Sequence, residues 1–134
     1  MKRVFSLLLC LTLLFVSSAS AVEPRDSMYF HSYGATLSAI GGGKIAITFS
    51  CDSEGTADQL GVSSFSIYVY DGSRWELISG PHSGGYAYNT NSYSSGRTFY
   101  GASGEKYRVQ ATFTCAKDST FESKNYTSGS IVAR

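Results

Sequence analysis

A small, exported, all-β sandwich is the fold this 134-residue sequence predicts. Three observations lead there. From Val22 onward no stretch keeps a helical period, and short alternating runs are instead separated by turn-forming residues. Two of those runs, Ile45, Ile47, Phe49, Cys51 and Tyr107, Val109, Ala111, Phe113, Cys115, each end in a cysteine that shares the inward register. The N-terminus reads as a secretory signal, which places the chain where cysteines can oxidise.

The signal has three parts. Lys2 and Arg3 form a basic start, Val4 to Val16 an apolar stretch, and Ser17 to Ala21 a small-residue cleavage site. The apolar stretch is short against the roughly 20 residues of a membrane-spanning helix, and no stop-transfer segment follows. Cys10 lies inside the stretch and leaves with it. Cleavage after Ala21 makes residues 1–21 the signal, 22–27 a polar leader and 28–134 a single domain. The 113 residues that remain carry nine basic and ten acidic side chains, a net charge of −1, with no basic run. Such a chain has no field to attract nucleic acid or an acidic membrane. No membrane span is expected after signal removal.

The elements follow from pattern. Tyr29 to Ala39 reads as a first strand, with Tyr33, Ala35, Leu37 and Ala39 on one face. Gly41, Gly42 and Gly43 form a turn that tolerates positive φ. Lys44 to Cys51 is a second strand of clean alternation, followed by a polar loop from Asp52 to about Leu60. Ser64 to Tyr70 is the third, with Phe65, Ile67 and Val69 on one face and Tyr68 and Tyr70 on the other. Asp71-Gly72-Ser73 turns the chain into Arg74 to Ile78. A long Gly/Ser/Tyr/Asn segment, Ser79 to Gly96, reads as a loop with weak strand character around Tyr86 to Tyr88. Arg97 to Gly101, Lys106 to Cys115, Phe121 to Tyr126 and Ile131 to Ala133 complete the pattern. Seven or so short strands in about 110 residues fit an antiparallel sandwich of the immunoglobulin-like kind.

Gly104-Glu105-Lys106-Tyr107-Arg108-Val109 resembles the start of the sixth strand of fibronectin type III modules, and the resemblance implies a tyrosine corner at Tyr107. Second and sixth strands face each other across such a core, so Cys51 and Cys115 are expected to form an inter-sheet disulfide. The alternative is a pair of buried thiols acting as small apolar side chains. Trp75 falls after the third strand rather than on it, unlike the core tryptophan of a true immunoglobulin domain. It is expected to pack under the Ser79–Gly96 loop or to stay partly exposed.

Across most of the chain, Tyr33-Gly34-Ala35, Gly43 to Phe49, Ala57-Asp58-Gln59-Leu60-Gly61, Ile67-Tyr68, Trp75, Tyr100-Gly101 and Gly104 to Tyr107 together resemble a family of small secreted proteins of Gram-positive bacteria classed as a domain of unknown function. The resemblance implies a scaffold and transfers no activity. It also implies that the cysteine bridge is a stabilising elaboration, and that the glycosylation-type triplet Asn125-Tyr126-Thr127 carries no meaning.

Chemistry is sparse. His31 and His82 have no metal-ligand spacing, and no residue pattern selects a nucleophile with its base. Catalysis is not expected, nor is a cofactor. Asp52, Glu54 and Asp58 are the densest acidic group and form a weak calcium candidate, with a solvated polar loop the preferred reading. Trp75, His82, Tyr86, Tyr88 and Tyr93, set among Ser, Gly and Asn, have the composition of a loop-built recognition surface, for which an extracellular glycan or protein is the natural partner. The plainer reading makes them half-buried strand residues. The functional expectation is a secreted, non-catalytic binding module; the alternative is an assembly protein joining partners through exposed strand edges.

Overall fold

The structure, a computed structural model, describes residues 29–134; the expected signal and leader lie outside the described residues. Six strands form one antiparallel sheet, with no helix among the described residues: β1 (Phe30–Gly41), β2 (Lys44–Tyr70), β3 (Trp75–Tyr100), β4 (Lys106–Lys117), β5 (Thr120–Thr127) and β6 (Ile131–Val132). Two of them are unusually long. β2 pairs with β1 over its first part, as in Leu37↔Ile47, and with β4 over its last, as in Ile67↔Val109. β3 follows β2 along both parts.

The sheet therefore has two halves joined by a continuous β2–β3 ribbon. One half holds β1, β2 and the end of β3. The other holds the start of β3, β2, β4 and β5, with β6 pairing the start of β4. At the crease the backbones nearly touch. A Cβ built on Gly61 would lie 2.0 Å from the Gly85 carbonyl oxygen, and one on Gly84 would lie 2.2 Å from the Val62 oxygen. Only glycine lets strands come that close.

Turn chemistry sets the register. Gly42 and Gly43 both have positive φ, as the two-residue β1–β2 hairpin between Gly41 and Lys44 requires. Asp118 and Ser119 do the same between β4 and β5. In the β2–β3 turn, Asp71 Oδ1 accepts the Ser73 and Arg74 amides at 2.8 and 2.9 Å. Those bonds hold the Asp71 carboxyl below its usual range, with the Arg74 amide the larger cause.

The two alternating runs are the heart of the core. Ile45, Ile47, Phe49 and Cys51 from β2, and Tyr107, Val109, Ala111, Phe113 and Cys115 from β4, are all buried. The Phe49 ring contacts Phe65 at 5.0 Å and Phe113 at 6.4 Å, linking the halves through their inner faces.

Three expectations need correction. The polar loop 52–60 is a bulge within β2, where the pairing to β3 skips between Asp52 and Ala57. The 79–96 segment is strand rather than loop, because each of its parts finds a ladder partner on β2, so seven short strands become six with two long ones. Cys51 and Cys115 are free, buried thiols. They sit in different halves, Cys51 between Tyr33 and Tyr93 and Cys115 between Leu60 and Glu122, and no bond joins them in this structure.

Candidate functional site

Among the described residues β3 is paired on one side only, and between its inward Tyr93 and Phe99 and along its first arm several inward positions are polar where core residues would otherwise stand. Ser79 faces Ile67, His82 faces Phe65, Ser95 faces Phe49 and Arg97 faces Ile47. These substitutions in an edge strand open a groove of about 600 Å³ between the two arms of β3. Ile47, Phe65 and Ile67 form its floor, Ser79, His82 and Ser83 one wall, and Arg97 to Tyr100 the other.

The side chains converge on Phe65. The His82 ring lies 5.2 Å from it, and the Arg97 guanidinium 5.9 Å from its centroid. Ser79 Oγ and His82 Nε2 are 2.7 Å apart. Arg97 donates to the neighbouring Gly96 carbonyl at 3.1 Å and forms no ion pair among the described residues, so its charge is available to a ligand. Tyr100, 75% exposed, stands at the rim, and Phe99 packs edge-on against Tyr107. Below the groove, the Tyr107 hydroxyl accepts the Ala102 amide at 2.8 Å, five residues upstream. A Cβ on Gly101 would fall 2.7 Å from the Tyr107 ring, so this crossing also requires glycine.

The five expected recognition residues do not share one surface. His82 lies in the groove. Tyr86 and Tyr88, 36% and 64% exposed, pair with Gly61 and Gln59 near the crease. Tyr93 is buried, its hydroxyl donating to Ser95 at 2.8 Å. Trp75 sits at the far end of the hairpin, opposite Tyr70, and is half-buried beneath Arg108 rather than under the 79–96 segment.

The acidic residues also part company. Asp52 accepts the Ser32 hydroxyl, Glu54 pairs with His31 at 3.0 Å, and Asp58 accepts the Asp118 amide at 2.9 Å. The Asp52 and Glu54 side chains thus tie the β2 bulge to β1, while Asp58, with Lys117 donating to the Glu54 carbonyl, ties it to the β4–β5 turn. No group of metal-ligating side chains is assembled among the described residues.

Both cysteines are unreactive by environment. Burial, with the nearby Asp52 and Cys115 charges, pushes the Cys51 thiol up to about 12. Burial, with Glu122, raises Cys115. Neither presents a thiolate at neutral pH.

Arg97, Phe65, Phe99 and Tyr100 are groove residues that reading by sequence misses. The signal lies in polar residues at inward register positions of β3, which is visible only once that segment is aligned as a strand. No protein-family model matches this sequence, and no curated protein sequence matches it significantly.

Proposed function

We propose that this chain is an exported, non-catalytic recognition module that takes a glycan or protein ligand in the groove between the arms of β3. One observation carries the reading: a concave site with an apolar floor and a few converging polar groups, Ser79, His82 and Arg97, the composition of a ligand pocket. The Ser79–His82 contact resembles half of a nucleophile–base pair. The only acid–histidine pair among the described residues is His31–Glu54, so the third member that would orient His82 for catalysis is missing from its contacts. The two halves, β1–β2–β3 and β3–β2–β4–β5, support reading the curled sheet as an immunoglobulin-like sandwich with the groove at its open side. The N-terminal sequence supports export.

Glycan arrays and pull-downs from envelope and host extracts test the reading. Binding is expected, and Arg97→Ala and Tyr100→Ala, both at exposed positions, should weaken it at least tenfold. No binding at all, or binding indifferent to both substitutions, overturns it. A second reading, assembly through strand edges, is favoured by the outer edge of the 26-residue β3, which pairs with no other strand among the described residues. Sedimentation at rising concentration separates the two, because an assembling module cannot remain monomeric.

A further inference from the structure

The outer face of the β3–β2–β4–β5 half carries a second constellation, turned away from the groove because Tyr68 and Tyr70 alternate with the inward Ile67 and Val69. Across its end, Trp75, Tyr70 and Lys106 stand side by side on three strands, with Leu77, Tyr68 and Arg108 in the next row. The rings and cations are stacked. The Arg108 guanidinium lies 4.3 Å from the Trp75 centroid, and Lys106 Nζ lies 5.1 Å from that of Tyr70. Trp75 and Tyr70 contact each other at 5.2 Å.

Two features mark this face as built for a ligand. Neither Lys106 nor Arg108 has an ion-pair partner among the described residues. Aromatic faces hold both cations in place while their charge stays uncompensated. Further along the same strands lies a shallow basin of about 220 Å³ lined by hydroxyl and amide groups. There Thr112 donates to Asn125 Oδ1 at 2.9 Å and Gln110 Nε2 donates to Thr127 at 3.3 Å. These bonds fix the amides and leave the Asn125 NH2 and the Gln110 oxygen for another partner.

We propose that this face binds a chain of carboxylated sugars. Sugar rings offer hydroxyls to the fixed amides and a carboxylate that the planar Arg108 fork, held over the Trp75 face, can take in two parallel bonds. From Tyr70 to Ser64 the strand spans roughly 20 Å, which suits an oligosaccharide better than a single sugar. The constellation is independent of the groove.

The test is affinity electrophoresis of the full exported protein through gels containing polygalacturonate, its methyl-esterified form, or dextran sulfate. Retardation by polygalacturonate alone is expected, weakening as salt is raised. Arg108→Gln and Trp75→Phe should each cost about tenfold in affinity, Lys106→Gln severalfold, and Arg97→Ala nothing. Thermal melts identify any variant that fails to fold, and Lys106→Gln, an exposed change, then carries the test. No retardation, equal retardation by the methyl ester or by dextran sulfate, or retention in the Arg108 and Lys106 variants overturns the proposal. Retardation lost in Arg97→Ala but kept in Arg108→Gln would also overturn it, while supporting the groove.

Discussion

Tyr107 keeps its ring in the core and commits its hydroxyl to a single amide, that of Ala102. Tyr107→Phe preserves the packing and leaves that amide without its partner, so it should cost about 1–2 kcal/mol in urea unfolding, the penalty of an unsatisfied part-buried donor. Gly101→Ala meets the same ring at close range and should cost at least as much. A change near zero in both would mean that the corner does not brace the β3–β4 connection. The place of Tyr107 at the start of a strongly alternating strand is legible in the sequence, while its bond back to nearby backbone is implied there only by the resemblance to fibronectin type III modules. Arg97 and His82 are not legible in the same way. Each lies on an inward position of a strand whose Ser, Gly and Asn content hides its alternation, so their meeting over Phe65 follows from register alone.

The longer elements obey the same logic. Lys44–Cys51 and Lys106–Cys115 can be read from alternation, since one face of each is apolar throughout. β3 cannot, because an edge strand beside a groove has little apolar surface to bury, and it is held by its ladder to β2 and by close approach at the crease. Gly61→Ala drives a methyl into the Gly85 carbonyl and should cost about 3 kcal/mol or more, whereas Gly129→Ala, with open space around it, should fall within about 0.5 kcal/mol of wild type. Equal, small effects would show that the crease can relax. At the hairpin end, Asp71→Ala removes the acceptor for two turn amides and should lower the melting temperature, whereas Asp71→Asn, which keeps an Oδ1 to accept both, should lose much less. The Asp71 carboxyl titrates lower in the folded chain than in the unfolded one. Its contribution is therefore present above the unfolded value and disappears as pH falls through the folded one, so the wild type and Asp71→Ala should converge in acid.

At the scale of the molecule, the question is what holds the two halves closed. The β2–β3 ribbon crosses between them, the Phe49 contacts join their inner faces, and Cys51 and Cys115 belong to opposite halves of one buried cluster. As free thiols they stabilise by burial, and that carries a pH signature. The Cys51 thiol titrates at about 12 in the folded chain against 9.0 for the free group. Its contribution is complete below pH 9 and is lost as pH rises towards 12, with a slope approaching about 1.4 kcal/mol per pH unit. Oxidation of the pair, the state expected from the sequence, would abolish that slope, since a disulfide has no proton to lose. It would also stabilise the chain by roughly 4 kcal/mol through closure of the loop between positions 51 and 115. Urea midpoints measured from pH 7 to 11, in reductant and after oxidative refolding from the unfolded chain, decide the matter when paired with thiol titration of the unfolded chain. The reduced protein should weaken steadily above pH 9, and the oxidised protein should hold its midpoint more closely and show no titratable thiol. An oxidised sample that still presents two thiols, or that loses stability on the same alkaline slope, would mean that the two halves are closed by packing alone.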